Sequence, residues 1–294
     1  MPYDPDFIAG QTLPLPLPSD AVLSAAYEQR FIDHSRMSLL FNQKRGLAAC
    51  TAHNIDGAAL QPAQQTERDY RFDPKIEPAS LQIDTDRGYR NNPWDRGHLV
   101  RRKSVSWGDP EQAARAELES DYYSNITPQH ETLHSASWGR IEDWMLARVD
   151  SGEQRACIFT GPVFTEADPQ IVNAEGEEPI RIPAGFWKII AVEADGIMRA
   201  AGFLTWQRDY DDPNPLPFEP QLEQVRLTTI EVLTGLAFPA LRLFDPLLYG
   251  SDQAPLTRRS LRGSDDLIVS LGDDIPVPAP RRTSSINAPR DIIL

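Results

Sequence analysis

An α+β domain is what this sequence predicts, and three observations carry that reading. Several runs are wholly apolar, or alternate apolar with polar residues, and have turn residues between them, as strands do. One stretch near residue 140 keeps helical spacing instead. And 40% of the 294 residues are hydrophobic, enough for one sizeable core.

The elements follow in order. Residues 1–20, "MPYDPDFIAGQTLPLPLPSD", read as an extended proline-rich arm. Residues 21–32 have helical character. "HSRMSLLFNQKRGLAACTAHNIDG" reads as two strands across an "NQKRG" turn, closed by a "DG" turn. The stretch 61–95 is polar and irregular, and a strand-like "GHLVRRKSV" follows it. "DPEQAARAELESDYY" opens with a proline and continues with helix formers. A helix is expected from near Thr132 to before Gly152, with Leu133, Trp138, Ile141, Met145 and Val149 on its apolar side. Three strands come next, "RACIFTGPVF", "FWKIIAVEA" and "MRAAGFLTWQ", the last two joined at Ala194-Asp195-Gly196. "TTIEVLTGLAF" is a short helix with a glycine stop. One domain at 21–250 is expected, followed by a mostly disordered tail or docking arm at 251–294, where Ser, Pro, Arg and Asp dominate.

No apolar run reaches the roughly 18 residues of a membrane helix. The first residues lack the basic start and apolar segment of a secretory signal. A cytoplasmic location, or export by a signal-independent route, is therefore expected. Cys50 and Cys157 lie in apolar runs without CxxC spacing and read as buried, reduced thiols. The net charge of −14 argues against a polyanionic partner, but it hides an island. Residues 87–103 hold Arg87, Arg90, Arg96, Arg101, Arg102 and Lys103 against Asp95 alone.

That island contains a repeated tripeptide. Asp86-Arg87-Gly88 precedes Tyr89, and Asp95-Arg96-Gly97 precedes His98. Imidazole takes a proton from water near neutral pH, whereas a phenol with a pKa near 10 does not. Guanidinium groups clamp phosphate oxygens, and a glycine permits close backbone approach. A base among phosphate clamps suits phosphodiester hydrolysis. Downstream, Asn125 and Gln129 precede the long helix. His134 and Glu142, eight residues apart on it, share a face and suit a divalent ion, held directly or through water. Each feature also has a plain surface or core reading when taken alone.

Together these segments resemble the sugar-nonspecific DNA/RNA endonuclease family of the ββα-metal finger fold. Its DRGH motif corresponds to Asp95-Arg96-Gly97-His98. Its second block corresponds to Ser124-Asn125-Ile126-Thr127-Pro128-Gln129, His134, Trp138 and Ile141-Glu142. "RDYRFDP", "FTGPVF", "IPAGFWKII" and "LTGLAF" extend the likeness over about residues 35–245. The resemblance implies a central antiparallel sheet and a ββα-metal finger active site. His98 would be the general base. Asn125 would fix His98 or the metal shell, and Glu142 would orient a metal-bound water. Arg96 stands between scaffold and phosphate clamp. Arg68 would supply an upstream substrate contact, with Arg87, Arg101 and Gln129 extending the substrate surface. The metal would be Mg²⁺ or Mn²⁺.

The sequence departs from the family at one point. His134 stands where the family usually has asparagine, which favours Mn²⁺ or another transition metal over Mg²⁺. The expected function is metal-dependent, sugar-nonspecific cleavage of DNA and RNA to 5′-phosphate products. The alternatives are a weakened, nuclease-like module that binds nucleic acid or a partner, and a zinc-dependent hydrolase using His134 with His130. An unrestrained nuclease is toxic, so an inhibitor, immunity or regulatory protein is a further expected partner, as for a toxin or defence effector.

Overall fold

The computed structural model describes residues 1–62, 67–130, 133, 137–152, 154–172, 178–194, 196–207, 222–248, 284–285 and 292. Their strands, in chain order, are β1 (Leu17–Pro18), β2 (Ile32–His34), β3 (Met37–Asn42), β4 (Leu47–Asp56), β5 (Trp94–His98), β6 (Ile126–His130), β7 (Arg155–Val163), β8 (Gln170–Ile171), β9 (Ile180–Arg181), β10 (Gly185–Ala194), β11 (Ile197–Trp206), β12 (Leu222–Val225), β13 (Leu236–Ala237) and β14 (Ser284–Ser285). The helices are α1 (Asp20–Ala25), α2 (Thr85–Gly88), α3 (Arg102–Val105), α4 (Pro110–Ser120), α5 (Ser137–Ser151) and α6 (Leu227–Thr234). None among the described residues is long and apolar enough to cross a membrane.

An antiparallel sheet in the order β14-β12-β11-β10-β7-β4-β3-β2 forms the centre. Its middle strands are covered on both faces, which explains why their text is apolar throughout rather than alternating. The period of two still sorts their side chains. On β10, Trp187, Ile189 and Ala191 face one core with Phe159 of β7. Phe186, Ile190 and Val192 face the other, where α5 lays Trp138, Ile141, Met145 and Val149. The apolar stripe expected on the long helix is thus buried against the sheet. By the same parity, Lys188 faces α5. The two cysteines are buried and free.

Local chemistry sets the boundaries. Asp109 accepts from the backbone N–H groups of Glu111 and Gln112, with Pro110 opening α4. Gly235, at φ +67°, ends α6 in the left-handed conformation that favours glycine. The β10–β11 hairpin closes at Ala194↔Ile197.

Two regions differ from the sequence reading. Residues 1–19 fold back through a turn at 5–10, where Leu13 N–H donates to Pro5 O, and they are built into the domain. Tyr3, Phe7, Ile8 and Leu13 are buried in the first core, the Tyr3 hydroxyl donates to Leu13 O at 2.7 Å, and β1 pairs with β13. The prolines in that text obscure four apolar anchors. The expected strand over 97–105 stops at His98. Leu99 N–H donates to Asn125 O and Val100 N–H to Asn125 Oδ1, so no strand partner is left, and the chain turns into α3. The tail lies largely outside the described residues. Its described part adds β14 beside β12 and packs Ile292 against the second core.

Candidate active site

β5 and β6 pair antiparallel from Trp94↔His130 to His98↔Ile126. Their Trp94 and Ile126 lie in a third, smaller core, and the segment after β5 reaches α5 through Arg101. Gly97 is required here by packing. A Cβ at that position would lie 2.1 Å from Gln129 Cδ, so only glycine lets the Gln129 side chain cross the strand. Gln129 is accordingly 1% exposed, and its Nε2 has no hydrogen-bond partner among the described residues. The structure places it as the packing partner of the motif glycine, not on an open substrate surface.

His98 ends β5 at 7% exposure. Its Nε2 lies 2.9 Å from Asp121 Oδ1 and 3.1 Å from Arg68 Nη1. Asp121 caps the C-terminus of α4 and is fully buried. It also accepts from Arg102 and from the backbone N–H of Asp69 at 3.0 Å, while Arg68 Nη1 approaches Oδ1 at 3.5 Å. Tyr70 walls the imidazole at a ring separation of 5.8 Å. The guanidinium of Arg96 lies over Tyr70 at 4.3 Å and donates to Thr85 Oγ1 at 3.2 Å.

The electrostatics favour a neutral imidazole. Burial pushes the His98 pKa down, and Arg68 and Arg102 push the same way, against the Asp121 carboxylate. Burial alone would raise Asp121, but its contacts with His98 and Arg102 outweigh it and hold the carboxyl below its ordinary value. An ionised carboxylate only accepts. The 2.9 Å contact is therefore a hydrogen bond when Nε2 carries the proton, which leaves the ring lone pair on Nδ1.

The Asn125 side chain hydrogen-bonds the backbone rather than the imidazole. Its Oδ1 accepts from Val100 N–H at 3.0 Å, and its Nδ2 donates to Val100 O and Ser120 O. It clamps the backbone that leaves His98 to the end of α4. Glu142 is buried at 4% exposure. Lys188 Nζ donates to its Oε1 at 3.0 Å, and Arg101 Nε lies 3.6 Å from Oε2. Arg101 also reaches Asp143 at 2.7 Å, tying the segment after His98 to α5. Arg87 is directed elsewhere, donating to Ser80 O at 3.1 Å.

The structure thus gathers Arg68 at His98, and Arg101 at Glu142, but it breaks up the basic island. Arg102 is buried on Asp121, Arg90 pairs with Asp86, and Arg101 is held by two acids of α5. Two residues escaped the sequence reading. Asp121 carries no positional signal in "ESDYYSN". Lys188 carries one: a lone cation inside the apolar "FWKIIAVEA", at the parity that faces a helix bearing Glu142. Burial pushes the Lys188 pKa down while Glu142 opposes the shift.

His134 lies outside the described residues. Among the described residues no three His, Cys, Asp or Glu converge as a metal cage. Glu142 is already engaged by two cations, so it can offer an ion a hydrogen bond to coordinated water more readily than a direct ligand bond. This donor set fits a largely hydrated ion anchored at one side chain, as Mg²⁺ and similar ions are bound. A closed zinc site needs about four ligands, which the described donors do not provide.

Both sequence and fold match known proteins. A sequence model of the family described as DNA/RNA non-specific endonuclease matches residues 21–241. An uncharacterised protein of Sinorhizobium fredii is 31% identical over 84% of this chain and 38% of its own length. Human mitochondrial endonuclease G is 29% identical over 58% of this chain and 56% of its own. A nuclease of Serratia marcescens is 27% identical over 60% and 62%. The chain thus spans between about two fifths and three fifths of the length of these relatives. A chain in the solved EndoG/EndoGI complex shares the fold, with a TM-score of 0.58 at 17% identity, over 77% of this chain and 94% of that one.

Proposed function

The chain belongs to the DNA/RNA non-specific endonuclease family, and on that premise we propose that it hydrolyses phosphodiester bonds of DNA and RNA, with His98 as general base and a divalent ion held through His134. The observation that carries this reading is the buried Asp121–His98 contact at 2.9 Å, placed at the end of the motif strand and beside Arg68.

His98 Nδ1 accepts a proton from a water aligned with the scissile phosphorus. The imidazolium that forms is stabilised by Asp121, which also keeps the ring from rotating. Arg68, half exposed, binds a nonbridging phosphate oxygen. Arg96, braced on Tyr70, forms the near wall. Glu142, held by Lys188 and Arg101, accepts a hydrogen bond from ordered water on the α5 side. When bound, a divalent ion supplies positive charge to offset what develops on the phosphate and the leaving 3′ oxygen. Departure of the 3′ oxygen leaves 5′-phosphate ends, and because only backbone groups are read, base preference is small. The imidazole at position 134 makes Mn²⁺ the favoured ion over Mg²⁺.

Such an enzyme needs restraint. One structural neighbour is a chain in an EndoG/EndoGI complex concerned with EndoG inhibition, and an inhibitor or immunity protein is the partner class that fits. A cytoplasmic enzyme, or one exported by a signal-independent route, remains our reading of its location.

A metal titration of supercoiled plasmid cleavage tests the assignment. The wild type should cut with Mn²⁺ and leave ligatable 5′-phosphate ends, and His98→Ala should not cut. Salt-dependent DNA binding without cleavage under any divalent ion would select the weakened, binding-only alternative. Mg²⁺ strongly outperforming Mn²⁺ would remove His134 as the ligand.

A further inference from the structure

Four cations from three separate segments line one cleft of about 210 Å³. Lys44 and Arg45 come from the β3–β4 turn, Arg87 from α2, and Arg181 from β9. Among the described residues no aspartate or glutamate lines it. In a chain of net charge −14 this is a local reversal of sign. It is also invisible to any linear window, because only Arg87 belongs to the basic island.

Arg45 shows that the cleft is built rather than incidental. Its side chain is 11% exposed. Nη2 donates to Thr165 O at 2.8 Å and to Asp168 Oδ2 at 2.6 Å, and the guanidinium lies over Phe164 at 4.7 Å. Nη1 is buried with no hydrogen-bond partner among the described residues. The contacts to Thr165, Asp168 and Phe164 hold the guanidinium in place at the cleft wall. Arg181 remains about a third exposed beside Glu166 at 3.6 Å, and Lys44 is exposed.

The single turn of α2, whose four residues span about 6 Å, links the cleft to the side chains around His98. At one end, Thr85 Oγ1 meets Arg96 at 3.2 Å and the Tyr123 hydroxyl at 2.8 Å, and Tyr123 stacks on Tyr70, which faces His98. Two residues on, Arg87 faces the cleft. A shared small core beneath them includes Ile83, Ile180, Trp94 and Ile126.

We propose that this cleft is a second phosphate-binding site, which holds the backbone of a bound nucleic acid beyond the scissile phosphodiester. The proposal rests on the nuclease reading. A strongly acidic protein needs discrete positive contacts to hold a polyanion. With Arg45 held on Asp168, the cleft offers a phosphate Lys44, Arg87 and Arg181, and phosphate contacts fix register without reading sequence.

The test uses the full chain carrying His98→Ala, so that DNA is bound but not cut, and a 30-base-pair duplex titrated at several salt concentrations. Adding Lys44→Glu with Arg181→Glu should weaken binding about tenfold or more at 0.1 M salt and lower the log–log salt slope by about 2. Arg30→Glu with Arg115→Glu makes the same change in net charge at exposed positions outside the cleft and should leave both quantities unchanged. Equal weakening by the two pairs, or no weakening by the first, overturns the proposal. Hydrolysis of bis(p-nitrophenyl) phosphate by the wild type reports on the nuclease reading alone, since that ester is too small to need a second site.

Discussion

The two copies of Asp-Arg-Gly share their residues and little of their conformation. Asp86-Arg87-Gly88 lies in a helical turn, because Asp84 precedes it and accepts from the Arg87 N–H at 2.9 Å. Asp95-Arg96-Gly97 lies in a strand, because β6 pairs with it. Both glycines answer to contact: a Cβ on Gly88 would meet Ile83 Cγ2 at 2.3 Å, and one on Gly97 would meet Gln129 Cδ at 2.1 Å. The next residue then diverges. Tyr89 is buried in a small apolar core, whereas His98 lands on Asp121. A tripeptide supplies side chains; its tertiary neighbours decide what they do.

Erasing that divergence should have the largest effect. His98→Tyr gives the second copy the text of the first, and DNA cleavage should fall by about 10²–10⁴-fold. His98→Gln, which keeps a polar side chain at the site, should do the same, with circular dichroism and melting confirming the fold. Retained cleavage in both would remove His98 as the base. Asp121→Asn comes next. It should lower kcat/KM roughly tenfold by loosening the imidazole. Because Asp121 raises the His98 pKa, its loss should also move the acidic limb of the pH profile to lower pH. A limb that moved upward would contradict the assigned contact.

The glycines sharpen the comparison on stability. Gly97→Ala and Gly88→Ala should each destabilise by about 1–3 kcal/mol in urea unfolding through overpacking. Gln129→Ala should relieve the first and not the second; equal relief of both would show that the two sites are not packed independently. The smallest effect belongs to Arg87→Ala, which removes one cation from the basic cleft. It should weaken duplex binding a few-fold and lower the salt slope by about 1, and an unchanged slope would exclude a phosphate contact at Arg87.

Much of this was legible in the sequence. The strands of the sheet and the apolar side of α5 follow from periodicity, and the motif histidine from the residue after the second glycine. What escaped depends on partners distant in the chain. Asp121 meets His98 from 23 residues away, where Asn125 ties the end of α4 to the segment after β5. The buried anchors of residues 1–20 were screened by their prolines. The basic island dissolved into ion pairs, since Arg101 and Arg102 spend their charge on Asp143, Glu142 and Asp121. The cleft at Lys44 and Arg181 assembles only in three dimensions.

The central claim is that a buried, neutral His98 starts the reaction by taking a proton. The pH dependence of kcat/KM for DNA cleavage tests it most directly, because it reports the essential groups of the free enzyme. The account predicts a rising limb governed by a group that titrates below the ordinary histidine value of about 6.5, absent from whatever residual rate His98→Ala retains. The same limb persisting in His98→Ala would contradict it.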